Sequence, residues 1–115
     1  MIIVNQTQNT TLANNAKLAN TFLTRLKGLL GSPPLEEGQG LLLQNEKSIH
    51  TMFMGFPIDI VYIDQNHSVI KLTPNMLPYR LGPYISQAVY ILELPVGIIE
   101  KSRTTVGDKL TLVYN

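Results

Sequence analysis

The 115-residue chain contains no cysteine, which removes thiol nucleophiles, disulfides and cysteine-based zinc sites while leaving the compartment open. Charge is scarce as well. Asp, Glu, Lys and Arg make up 15% of the chain, against about 25% in an ordinary domain. The formal net charge is +1 and the basic residues are scattered, Arg25 with Lys27 and Lys101 with Arg103 being the nearest to clusters. That distribution lacks the electrostatic footprint of a nucleic-acid or anionic-membrane binder. No apolar run approaches the roughly 18 residues that span a bilayer. Met1 to Gln6 has neither the positive start nor the apolar stretch of a secretory signal, so a cytoplasmic chain is expected. There is no internal repeat, no Gly-x-Ser-x-Gly elbow and no phosphate-binding loop.

What the chain does contain is enough apolar material for one compact domain, burying roughly 65% of its unfolded surface without metals or disulfides. Ile2-Ile3-Val4 reads as a short strand, and the polar residues 5–10 as a turn into a second strand near 11–18. Phe22, Leu23, Leu26, Leu29 and Leu30 recur at helical spacing and predict an amphipathic helix ended by Gly31 and Ser32-Pro33-Pro34. Residues 40–44 form a buried strand, 58–64 the clearest strand, and 68–72 its hairpin partner across a turn at 64–67. Prolines and Gly82 make 73–84 an irregular surface segment. A further strand at 88–94, a short helix reaching Ser102, a turn at Gly107-Asp108 and a last strand at 110–114 complete the reading. The fold class is β-rich α+β, a barrel-like or sandwich-like arrangement of sheets with one or two short helices.

The chemistry gathers between Ser48 and Asp64, where His50, Met52, Met54 and Asp59 stand beside the central strand. Strand alternation puts Asp59 on one face with Val61 and Ile63, and Glu93 on one face with Val89 and Ile91. A carboxylate so placed needs an ion partner or backbone donors. Arg25, His50 and the backbone at Gly55 or Gly97 are the candidates, Arg being best suited to paired planar hydrogen bonds. Three uses of such groups compete: an internal polar network that fixes register, a ligand pocket lined by these side chains, and catalysis with His50 as base. Thr51 and Ser48 flank His50 without making a triad. The methionines read as core fillers rather than soft metal ligands, and no metal or other cofactor is expected.

The ordered series Arg25-Leu26-Lys27-Gly28-Leu29-Leu30, Gly38-Gln39-Gly40, Ser48-Ile49-His50-Thr51 with Met54, Pro57-Ile58-Asp59, Leu92-Glu93-Leu94-Pro95 with Gly97, and Gly107-Asp108 resembles the family called domain of unknown function 192, also termed uncharacterised protein family 0127. The resemblance implies a small β-rich, barrel-like fold with minor helices and no settled activity. Its pattern picks out Arg25, Gly28, Met54, Pro57, Asp59, Glu93, Gly97, Gly107 and Asp108 in this sequence. The resulting expectation is a binding or accessory module with a polar pocket near His50 and Asp59, formed from Arg25, His50, Thr51, Met54, Asp59 and Glu93. Its partner would be a small molecule or a protein, not nucleic acid or membrane. The rivals are a hydrolase-like enzyme using His50 and a structural or interaction protein with an internal polar cluster.

Overall fold

The computed structural model describes residues 1–19, 33–51 and 54–114. Three strands, β1 (Ile2–Asn5), β2 (Thr10–Ala13) and a C-terminal strand at Leu110–Val113, form a small antiparallel sheet with β1 in the middle. Between them in sequence come β3 (Asn15–Ala19), β4 (Gln39–Gln44), β5 (Ile58–Ile63), β6 (Val69–Met76) and β7 (Tyr90–Pro95), so the C-terminal strand is β8. These five form the larger sheet in the order β3-β4-β7-β5-β6, antiparallel throughout except for the parallel pair β3–β4. Among the described residues there is one helix, α1 (Ile98–Lys101).

The two sheets bury a shared core of Ile3, Leu12, Leu42, Val61, Leu92, Leu94 and Leu110. A second core lies on the other face of the larger sheet, where Leu43, Ile58, Ile60, Tyr62 and Ile91 pack with Met54 and Met76. Every residue of β5 is therefore buried. This is why β5 and β7 read as continuous apolar runs rather than alternating ones: both faces are covered. Separate sheets with open edges make a sandwich, so of the two expected arrangements the sandwich holds for the described residues.

Two expectations change in detail, and a third is not tested by the described residues. The strand expected across 11–18 is two strands in different sheets, broken where Asn14 and Asn15 both donate backbone N–H groups to the Gly38 oxygen, at 3.0 and 2.9 Å. β6 continues through Pro74 into the segment expected to be irregular. It can do so because β6 is an edge strand, where a missing N–H leaves no partner unsatisfied. The amphipathic helix expected at 21–30 lies outside the described residues. The β5–β6 hairpin forms as expected, its turn held by Asp64, whose Oδ1 accepts the N–H groups of Asn66 and Ser68 at 2.9 Å each.

Candidate functional site

Asp59 is 1% exposed, and its position early in β5 aims the carboxylate at the chain that follows β7. Oδ2 accepts the N–H groups of Gly97 at 3.1 Å and Ile99 at 2.9 Å, while Oδ1 accepts that of Asn75 at 2.8 Å. Of the partners open to it, backbone donors are the ones it takes, Gly97 among them. The carboxylate ties α1 to the sheet and holds the end of β6 alongside. It is sealed and fully used.

Glu93 is also buried, but on the opposite face. In the β5–β7 register Asp59 pairs with Leu94 and Glu93 with Ile60, and paired residues share a face. Asp59 and Glu93 therefore do not meet. Glu93 stands between Leu41 and Ile60, its two cross-strand neighbours, and this burial pushes its carboxyl up to about 8, so it is mostly protonated at neutral pH. Its Oε2 has no hydrogen-bond partner among the described residues, and neither has the Tyr62 hydroxyl. Tyr62 pairs with Ile91, two residues from Glu93, which makes it a diagonal neighbour on the same face. Burial raises the Tyr62 hydroxyl's pKa, and Glu93 raises it further. The Gly82 backbone lies over this hydroxyl: a Cβ there would come within 3.1 Å of it and 2.9 Å of the Ile49 oxygen.

His50 is exposed and joins Leu81 in an isolated antiparallel bridge. Thr51, next to it, is completely buried and stitches two loops together. Its N–H donates to the Arg80 oxygen and its carbonyl accepts from Tyr79, both at 2.8 Å. Its hydroxyl donates to the Leu77 oxygen at 2.6 Å and accepts from the Arg80 N–H at 2.8 Å. Met54 belongs to the core on the Glu93 face. Arg25 lies outside the described residues. The sequence-predicted set thus divides three ways: Asp59 toward α1, Glu93 and Met54 on the far sheet face, and His50 and Thr51 in the loops.

A cleft of about 340 Å³ lies elsewhere, between β2, the turn at Gly38 and α1. Leu12, Ala13 and Ile98 supply apolar surface, Thr10, Thr11, Asn14 and Ser102 supply hydroxyls and an amide, and Glu37 and Lys101 form an exposed ion pair at its margin. The α1 wall is clamped at both ends. Asp59 holds its start, and a buried polar chain holds its finish: Ser102 Oγ lies 2.7 Å from Thr104 Oγ1, which accepts from Asn5 Nδ2 at 3.0 Å, and the same nitrogen donates to Asp108 at 2.9 Å. The Thr10 hydroxyl crosses the cleft to donate to the Ser102 oxygen at 2.7 Å. Burial raises the Asp108 carboxyl, but hydrogen bonds from Asn5, Thr105 and Gln8 outweigh it and hold the pKa below its usual value. Sequence reasoning missed Thr10, Asn14 and Ser102, which carry no motif. The signal was indirect, in Gly97 and Gly107-Asp108, which flank α1 and its anchor.

The fold is a two-sheet β-sandwich with a cleft at one edge, its α1 wall hydrogen-bonded at both ends. The family model DUF192, described as an uncharacterized ACR, matches residues 3–112, and the chain belongs to this family. It is 30% identical to a UPF0127 protein of Thermococcus sibiricus over 113 residues, 95% of this chain and 73% of that one. It is 32% identical to a UPF0127 protein of Pyrococcus furiosus over 111 residues, covering 94% and 95%. The fold matches the crystal structure of a protein of unknown function from Novosphingobium aromaticivorans with a TM-score of 0.82 at 19% identity, covering 96% of this chain and 82% of that one. A second crystal structure, from Sinorhizobium meliloti, matches at 0.78 and 19% identity, with 96% and 89% covered. At that identity the two solved structures speak for the fold alone.

Proposed function

We propose that this chain is a binding module for a small polar molecule without net charge, with the cleft between β2, the Gly38 turn and α1 as its site. The observation that carries the reading is the double clamp on α1, through Asp59 at one end and Ser102, Thr104, Asn5 and Asp108 at the other. Four residues of helix cannot hold their own position, and a binding wall needs side chains fixed by what lies behind them. Apolar surface beside hydroxyl and amide groups is the usual make-up of a small-molecule site, and about 340 Å³ falls within the usual size. Glu37 and Lys101 neutralise one another, which disfavours a ligand of one charge sign. In this reading Asp59 is a positioning residue behind the site, not a group that touches the ligand.

A screen of small polar metabolites by ligand-observed NMR, followed by amide shift mapping, tests the reading. Hits should move the amides of 10–14 and 98–102 and vanish in Thr11→Trp, which fills the cleft from an exposed position. Hits that map elsewhere, or survive that substitution, overturn the assignment.

A further inference from the structure

Half of the exposed large apolar side chains described fall within one eight-residue stretch: Leu77 is 46% exposed, Tyr79 56%, Leu81 80% and Tyr84 70%. Hydrogen bonds from neighbouring segments fix this stretch in place. Thr51 bonds it at Leu77, Tyr79 and Arg80, the Gly82 N–H donates to the Ile49 oxygen at 2.8 Å, and Lys47 Nζ donates to the oxygens of Ser86 and Ala88. Tyr79 has a φ of 61°, a left-handed conformation that costs a side chain of this size about 1–2 kcal/mol and concentrates at functional positions. Charge is one-sided as well. No Asp or Glu occurs between Asp64 and Glu93, while Arg80 lies within the stretch, its Nη1 3.4 Å from the Pro78 and Tyr79 oxygens, and His50 is bridged to Leu81.

We propose that the loop face at residues 77–84 docks an acidic segment of another protein, Leu81 and Tyr84 taking its apolar side chains and Arg80 its carboxylates. Tyr and Arg dominate protein interfaces while Asp and Glu are depleted there, and a face held in shape before contact loses little entropy on binding. A membrane fits less well, because stable electrostatic docking takes a cluster of about four to eight cations. A second copy across a two-fold axis would bring Arg80 toward its own equivalent, like charge against like.

Replacement of Tyr84 by the photo-crosslinker benzoylphenylalanine in the full chain, with irradiation in cells of its own organism and adduct mapping by mass spectrometry, tests this. The expected adduct lies in a protein segment of net negative charge, its yield falls about tenfold with Arg80→Glu, and it recovers when the captured acidic residues are changed to Lys. Arg80 is exposed, so circular dichroism should show an unchanged fold. Adducts to lipid, to a second copy or to a segment without acidic excess, an adduct indifferent to Arg80→Glu, or no adduct at all would overturn the proposal.

Discussion

Asp59 and Glu93 are both buried carboxyls on adjacent strands, yet their surroundings differ. Asp59 accepts hydrogen bonds from the N–H groups of Asn75, Gly97 and Ile99, whereas Glu93 Oε2 has no partner among the described residues. Truncation in Asp59→Ala would leave those N–H groups without their acceptor, at a cost of about 3–5 kcal/mol in urea unfolding. A loss below about 1 kcal/mol would show that α1 is held by other means. Glu93 bears on stability through its proton. Its carboxyl is raised from 4.5 to about 8, so the folded state holds a proton that the unfolded state releases above pH 4.5. Its contribution is fully present below about pH 4.5 and is lost as pH rises through 8. The loss is on the order of 5 kcal/mol. Glu93→Gln removes this titration, so the variant's stability relative to the parent should rise steadily from pH 5 to pH 8. Parallel pH profiles for the two proteins would refute a protonated Glu93. Asp108 acts in the other direction: its pKa is lowered, so its contribution is present above the usual carboxylate range and fades as pH falls through the folded value.

At the scale of elements, the two segments that matter are those least able to stand alone. α1 has four residues, far short of what sustains an isolated helix, and it begins after Gly97 at φ 99°. A Cβ at Gly97 would meet nothing within 4 Å, so Gly97→Ala isolates the backbone term. It should destabilise the protein by about 1–2 kcal/mol and loosen amide protection at 97–102 before that of β5 and β7, as hydrogen exchange would report. The loop pair centred on Thr51 makes a similar case. Thr51→Val keeps the shape but deletes the hydroxyl that bridges Leu77 and Arg80, which should cost about 2 kcal/mol. Exchange should quicken at 79–82 while the central sheet keeps its protection. Uniform quickening across the sheet would mean that the loops are part of the global fold rather than a surface mounted on it.

For the molecule as a whole, the strands were legible because apolar runs bounded by turn residues announce them, and β4, β5, β7 and β8 lie close to where the pattern puts them. The break at Asn14 was hidden because its cause, the Gly38 oxygen, is remote in sequence. The site was less legible. Asp59 and Glu93 could be recognised as polar residues in buried strands, but their separation onto opposite faces depends on which residues stand opposite in the β5–β7 register. Thr10, Asn14 and Ser102 are ordinary residues until the β2 edge, the Gly38 turn and α1 enclose them. A double substitution of Asp59 and Asp108 to Ala should act on α1 from both ends, quickening hydrogen exchange at 98–102 more than either single change once global unfolding is corrected for. Strict additivity would show that the two anchors work independently.

A β-rich fold of this family, with two polar residues set into its most apolar strands, was already written in the order of the amino acids. Periodicity and turn chemistry are local, and they write themselves into adjacent residues. Only the packing of distant segments brought Asp59 to the backbone N–H groups at α1, set Glu93 on the other side of the sheet and left His50 in the loop bridged to Leu81. Burial and hydrogen-bond partners come from elements far apart in the chain, and no local pattern encodes which face of a sheet another segment will cover.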